Sequence, residues 1–226
     1  MADVNLTTTA VTPTTVSLST LRTRLRRELH DEDSAVYRWT DDELDRHLLR
    51  AVRELSLVLP REQKTTLTTT AGSRDVSIAA LADVVRLEAV EYPVGEWPPV
   101  YVQHSVWQTA LTLLVDGAPS AVEDLHVYWG KVHQLDGSVS SLPTVAEDAV
   151  VTGAGAYAAL EWASYATTRA NVGGSATWRN YQAWGEARLE EFRSALQRFG
   201  SAGRVRLAGL YGPARPVASQ VRDFGP

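Results

Sequence analysis

The stretch Trp39–Pro60, WTDDELDRHLLRAVRELSLVLP, decides how the rest of the chain is read. Thr40 and Glu43 have capping-box spacing, so the hydroxyl takes an orphan amide while the Glu43 carboxylate reaches back to the cap. Asp41, Asp42 and Glu43 put negative charge at the positive end of the helix dipole. Leu44, Leu48, Ala51, Val52, Leu55 and Val58/Leu59 recur at helical spacing and form one apolar stripe. Pro60 stops the helix, because the residue before a proline is driven out of the helical region. Asp42–Arg46 and Arg50–Glu54 are i,i+4 pairs on the wet face, each worth about 0.2–0.5 kcal/mol. No residue here resembles a catalytic group. The spacing predicts a helix built to be packed against.

The chain has 226 residues, enough for one sizeable domain or two small ones. Its 44% hydrophobic and 22% charged content is that of a globular protein. It has no cysteine, which removes disulfides and thiolate sites and fits a reducing compartment. The first twenty residues lack the basic and apolar regions of a signal peptide. No run approaches the roughly 18 apolar residues of a membrane span. A net charge of −5 argues against bulk attraction to nucleic acid. Lys64 and Lys131 stand against twenty arginines, a ratio read as GC-rich coding more than function.

Residues 1–17 are Thr- and Val-rich and read as an extended arm. Ser17 or Ser19 caps a first helix with Leu18, Leu21, Leu25 and Leu29 on one face. Arg22, Arg24, Arg26 and Arg27 lie on the other sides. They fit a phosphate or an acidic partner, or a solvated face answered by Asp31-Glu32-Asp33; charge patterning favours the solvated face. His30-Asp31-Glu32-Asp33 reads as a hydrated helix end, because metal ligands normally converge from several elements.

Residues 63–135 change character, with Thr-, Val-, Tyr- and Trp-rich runs between turn signals. Lys64–Thr70 and Arg74–Ile78 read as a hairpin around Ala-Gly-Ser. Val84–Tyr92, Val100–Val106, Thr109–Val115 and Leu125–His133 read as further strands, with a turn at Asp116-Gly117-Ala118-Pro119. The whole predicts a five- or six-stranded antiparallel module inserted between helices. Trp97, in Glu96-Trp97-Pro98-Pro99, is a loop tip: either a recognition contact or a ring covering its own domain, the second being favoured.

Residues 134–143 read as a linker. A third helix follows over about Thr144–Thr168, with Glu147 and Asp148 in its first turn. Gly155, Ala159, Ala163 and Thr167 repeat every four residues, a ridge that lets another backbone approach closely. Two interior glycines, Gly153 and Gly155, cost about 1 kcal/mol each against alanine, which close packing must offset. Gly173-Gly174 breaks the helix. A fourth runs from about Ala176 to Phe199, with Trp178, Tyr181, Trp184, Leu189, Phe192, Leu196 and Phe199 on its buried face and Gly200 as its end. Arg204–Tyr211 alternates like a short strand. Residues 203–226 carry four arginines and one aspartate. Such a segment suits docking on a partner's sheet edge, or is an unstructured terminus.

No catalytic constellation emerges. His30, His47, His104, His126 and His133 are scattered without metal-ligand spacing. There is no Gly-x-Ser-x-Gly elbow and no phosphate-binding loop.

Taken together, these pieces resemble the head–tail connector adaptors of tailed bacteriophages. The resemblance rests on the first helix, on Tyr37-Arg38-Trp39-Thr40-Asp41-Asp42-Glu43-Leu44 with its helix ending at Pro60, on Thr152-Gly153-Ala154-Gly155-Ala156-Tyr157-Ala158, and on a tail beyond the bundle. The β insertion is similar to that of larger adaptors. The resemblance implies a homo-oligomeric ring of twelve copies below the portal protein, joined on its far face to the next connector or tail protein. It implies a structural protein at the head–tail interface of a virion, assembled in the bacterial cytoplasm, with no enzyme activity, cofactor, metal or membrane. DNA would pass through the ring without sequence-specific binding.

The expected fold is α+β: a four-helix bundle-like core (18–62 and 144–200), an inserted antiparallel β module (63–135), an N-terminal arm (1–17) and a C-terminal docking tail (201–226). Arg204, Arg206, Leu207, Leu210, Tyr211 and Arg215 are the expected portal-docking residues. Gly155, Ala159 and Ala163 form the packing ridge, and Trp97 is the loop-tip contact. Two other readings remain. One is a carbohydrate- or ligand-binding β module with Trp97, Trp107 and Trp129 as stacking rings. The other is an enzyme using unrecognised carboxylates.

Overall fold

The computed structural model describes residues 16–167 and 177–210, with side chains described over 16–166 and 177–201. The elements are α1 (Leu18–Glu28), α2 (Asp41–Val58), β1 (Arg61–Thr68), β2 (Asp75–Ser77), β3 (Val84–Glu91), β4 (Tyr101–Val102), β5 (His104–Trp107), β6 (Ala110–Leu113), β7 (Asp124–Lys131), α3 (Thr144–Thr167) and α4 (Thr177–Leu210). The fold is α+β, as expected. The extended arm read over 1–17 and the Gly173-Gly174 break fall almost wholly outside the described residues.

The chain divides into two compact units. The first holds the described residues up to Val52 together with those of His133–Leu189. Here the Ser17 side chain accepts the Thr20 amide at 3.2 Å and starts α1. Leu21, Leu25 and Leu29 are buried. At the start of α2, the Thr40 amide donates to Glu43 Oε2 at 2.7 Å and the Glu43 amide to Thr40 Oγ1 at 3.3 Å, closing the capping box. Leu44, Leu48, Ala51 and Val52 are buried as the stripe requires. The segment read as a linker is a tied turn: Asp136 accepts the amides of Ser138 (2.8 Å) and Val139 (2.6 Å), and its carbonyl takes the Leu18 amide (3.0 Å). In α3 every residue from Val150 to Ala159 is buried. A helix apolar all round is enclosed all round, so more than one ridge is in contact.

The second unit holds Arg53–Val132 and the described residues from Glu190 onward. Its strands form two sheets, ordered β1-β7-β3-β4 and β2-β6-β5. Val76, Ile78, Val90, Leu111, Leu113, Leu125, Val127 and Trp129 form a common core drawn from both. Among the described residues there are seven strands rather than five or six. The expected hairpin is absent: β1 pairs with β7 from Arg61↔Lys131 to Thr68↔Asp124, and β2 pairs with β6. Between them Gly72, at φ 77°, sends its amide to the Pro119 carbonyl (2.7 Å), which turns the chain towards a different partner. The single strand expected over Val100–Val106 divides at Gln103, with β4 pairing to β3 and β5 to β6. At Gly130 a β-carbon would lie 2.6 Å from the Pro60 ring, so only glycine lets β7 pass there.

Two expectations about the last helix fail. Gly200 does not end α4, and Arg204–Leu210 is helical rather than a strand. Extending a formed helix adds one hydrogen bond per residue without a new nucleation cost, so a short alternation does not redirect it. The aromatic stripe is also less buried than expected. Phe192 is fully buried, whereas Trp178, Tyr181, Trp184, Leu189, Leu196 and Phe199 are half-buried.

Candidate docking surfaces

The α1–α2 connection is built around a buried cation. The Arg26 side chain is 7% exposed, and its guanidinium donates to Asp31 Oδ2 (2.6 Å), the Trp39 carbonyl (3.0 Å) and Asp41 Oδ1 (2.7 Å). It also lies 3.6 Å from the centroid of Tyr37. Asp31 Oδ1 in turn accepts the Arg38 amide at 2.7 Å. The hydrogen bond from Arg26, followed by the nearby guanidinium charges, holds Asp41 below the usual carboxylate range. Arg22 forks onto Asp45 at 2.7 and 2.8 Å and reaches Asp41. Arg24 pairs with Glu147 at 2.8 Å and with Asp148. Arg27 pairs with Glu32 at 3.4 Å. The arginine row is therefore not a free patch held for a partner: all four cations have carboxylates within their own unit, Arg26 and Arg27 finding theirs in the Asp31-Glu32-Asp33 run as charge patterning favours, although Arg26 is buried rather than solvated.

The charged face of α2 is engaged in the same way. Instead of pairing along the helix with Asp42, Arg46 meets both carboxylate oxygens of Glu161 on α3, at 2.6 and 2.8 Å. Beside it His47 is buried. Desolvation pushes its pKa down against the pull of Glu161, 3.3 Å away, which keeps the ring neutral. Among the described residues no group of three His, Asp or Glu converges as a metal site.

The small-residue ridge faces inward. Ala159 and Ala163 are buried, and a β-carbon on Gly155 would meet Trp184 Cη2 at 3.3 Å and Leu25 Cδ1 at 3.6 Å. The closer backbone approach is at Gly185, which the sequence reading missed. A β-carbon there would lie 2.9 Å from Leu160 Cγ and 3.3 Å from the Ala156 carbonyl oxygen. A glycine amid α4's aromatic residues was the available signal.

Arg38 lies among three rings, with its guanidinium carbon 4.6 Å from the centroid of Trp162, 5.0 Å from Tyr181 and 5.7 Å from Trp39. It donates to the Tyr181 hydroxyl. Beside it opens a cavity of ≈570 Å³, lined by Glu28, Leu29, His30, Asp31, Asp33, Val36, Arg38, Trp39, Asn180, Tyr181 and Trp184. Tyr181 and Trp184, read only as core, thus line a concave surface.

The second unit presents its aromatic residues at loop tips. Trp97 is 91% exposed and does not cover its own domain, contrary to the favoured reading. Trp107, at the end of β5, is 80% exposed. Trp129 is core, its indole donating to Thr65 at 3.0 Å, so it is not a stacking ring for a sugar. On one face of the four-stranded sheet, buried Glu91 accepts from Tyr128 (2.6 Å), lies 3.1 Å from His126 Nδ1 and 3.9 Å from Lys64. Tyr128 and then His126 hold its pKa below the usual range. The i,i+2 spacing of His126 and Tyr128 was the only sequence trace of this network.

Of the expected docking residues, Arg204, Arg206, Leu207 and Leu210 fall in the last turns of α4; Tyr211 and Arg215 lie outside the described residues. No described helix is long and apolar enough to cross a membrane.

Residues 16–216 match the model of a family described as SU10 adaptor protein. Among solved structures, a chain from the neck of an empty gene transfer agent particle, computed with C6 symmetry, is similar at 16% identity. The alignment covers 78% of this chain and 92% of that one, with a TM-score of 0.29. Among curated proteins none matches.

Proposed function

This chain belongs to the SU10 adaptor protein family, and on that premise we propose how it serves as a structural head–tail connector of a tailed bacteriophage. One observation carries the reading: the match runs from residue 16 to residue 216 and takes in every described helix and strand. Twelve copies form a ring below the portal, and the ring's lumen extends the DNA channel. The helices make the wall, and the far face of the ring meets the next connector or tail protein. At −5 per chain, twelve chains carry on the order of −60, which lets DNA slide past without specific contacts. The role asks for no catalytic group and no cofactor.

The C-terminal segment docks on the portal. The helical course of α4 to Leu210 favours a helix laid in a groove over an added strand. Arg204, Arg206, Leu207 and Leu210 belong to that helix, and Tyr211 and Arg215 follow it.

Native mass and electron microscopy of the chain mixed with its portal test the proposal. A twelve-fold ring seated on the portal is expected, and a chain still monomeric in that mixture overturns it. Removing residues 203–226 leaves the chain folded and abolishes docking; docked rings from the truncated chain refute the tail's role.

A further inference from the structure

The cavity in the first unit and the Trp97 loop in the second have complementary chemistry. The floor of the cavity includes Leu29, Trp39, Tyr181 and Trp184. Its ≈570 Å³ lies well inside the range of about 300–1,000 Å³ that encloses a compact organic group. Arg38 also lines it, its guanidinium carbon 4.6 Å from the Trp162 centroid and 5.0 Å from that of Tyr181, and of its five N–H donors one serves the Tyr181 hydroxyl. Among the described residues no carboxylate pairs with Arg38. The loop offers the counterpart. Trp97 stands 91% exposed between Glu96 and Pro98-Pro99, and Glu96 is exposed with no hydrogen bond or ion pair among the described residues. A tryptophan held in water beside a free carboxylate has the composition of an interface hot spot.

We propose that the Glu96-Trp97-Pro98-Pro99 loop of one copy plugs the Arg38 cavity of the next copy, which rests on the ring reading above. The indole lies on Trp39, Tyr181 and Trp184, and the Glu96 carboxylate enters the Arg38 fork. A buried indole N–H needs an acceptor; Asp33 supplies one, since only its Oδ1 is used, on the Ala35 amide. Two other carboxylates line the cavity: Asp31 is already answered by Arg26 and the Arg38 amide, and Glu28 has an interaction of its own within the described residues, so neither is a free charge facing Glu96. Plug and socket are different surfaces, so the contact is head-to-tail, and repeated through a closing rotation it makes a ring.

The natural chain has no cysteine, which makes cross-linking clean. Full-length Glu96→Cys and Asn180→Cys chains are mixed and oxidised under ring-forming conditions, with portal present if the ring needs it. A disulfide-linked dimer from the mixture, and none from either chain alone, is expected. Trp97→Ala and Arg38→Glu each weaken subunit association by about thirtyfold or more, the loss typical of a hot spot. The charge swap Arg38→Glu with Glu96→Arg restores association, and unchanged melting of Trp97→Ala separates assembly from folding. Rings that form normally with Trp97→Ala, without the mixed cross-link, overturn the plug and leave the ring standing. A natural chain that stays monomeric alone and with portal overturns both.

Discussion

Replacing Gly185 by alanine tests how α4 meets α3 within the first unit. An added β-carbon would sit 2.9 Å from Leu160 Cγ, 3.2 Å from Leu160 Cδ2 and 3.3 Å from the Ala156 carbonyl oxygen. The carbonyl belongs to a helix interior and cannot retreat without disturbing its own hydrogen bond. Alanine gains about 1 kcal/mol in helix propensity over glycine, and overpacking a tight contact costs about 1–3 kcal/mol. A β-carbon under 3 Å from a branch carbon and tight on a helix carbonyl belongs in the upper part of that range, about 2–3 kcal/mol, so the clash wins by about 1–2 kcal/mol. Gly155→Ala is the control, because the propensity gain is the same. Its new β-carbon meets Trp184 Cη2 at 3.3 Å and Leu25 Cδ1 at 3.6 Å, both side-chain tips, and half-buried Trp184 can give by a few tenths of an ångström beside the cavity. Gly155→Ala is therefore neutral or stabilising by up to about 1 kcal/mol. The two variants separate by about 2 kcal/mol, or roughly 4–8 °C in Tm for a chain of this size. Thermal and urea unfolding of both measure it. Equal midpoints, or a higher midpoint for Gly185→Ala, refute the close approach.

Other consequences concern titration and packing. Glu91 is held below the usual range, so its contribution to stability is present above the unfolded value of about 4.3 and drains as pH falls through the folded one. Tyr128→Phe removes the largest cause, and its acid-side unfolding slope should be shallower than that of the natural chain. The Tyr92 hydroxyl, donating to Glu123 at 2.6 Å, is pushed up to about 12, chiefly by that hydrogen bond. This raised group stabilises fully below the unfolded value of about 10 and loses the effect as pH rises through the folded one. In Glu123→Gln the extra loss of stability over that alkaline window should shrink in denaturant titrations, leaving only the part that burial of the hydroxyl causes. Ala159→Leu overfills the enclosed stretch of α3 and lowers stability by about 1–3 kcal/mol; an unchanged urea midpoint would show that the site has room.

The legible parts of the fold are those fixed by neighbours in sequence. The Thr40–Glu43 cap and the Leu44–Val52 stripe depend on residues within a turn or two and read correctly, and the start of α1 narrows to two neighbouring serines, of which Ser17 is the cap. Strand pairing is not local. Nothing near Lys64–Thr70 marks β7, more than fifty residues on, as a better partner for β1 than β2. The candidate docking surfaces were less legible for the same reason. The rings around Arg38 come from Trp39, Trp162 and Tyr181, on three segments that only the packed unit brings together. Trp97 illustrates a different limit. A tryptophan flanked by prolines reads equally as a cover or a contact, and only its exposure separates the two.

Arginine usage gains a physical account that composition alone did not supply. Whatever set the genomic ratio, Arg22 makes two parallel bonds to Asp45, Arg26 serves two carboxylates and a carbonyl at once, and Arg38 lies among three rings. Each use depends on a planar fork that an ammonium lacks. Arg26→Lys keeps the charge, yet one ammonium cannot reproduce the fork that joins Asp31, Asp41 and the Trp39 carbonyl. The buried Asp31 is then poorly paired, and the loss should be about 1–3 kcal/mol. Arg27 is the contrast: its side chain is 68% exposed and its 3.4 Å pair with Glu32 is a surface contact. Arg27→Lys should stay within about 0.5 kcal/mol of the natural chain. Urea midpoints of the two variants decide the matter. If they coincide, the fork at Arg26 contributes nothing beyond its charge, and the α1–α2 connection must be held by some other interaction.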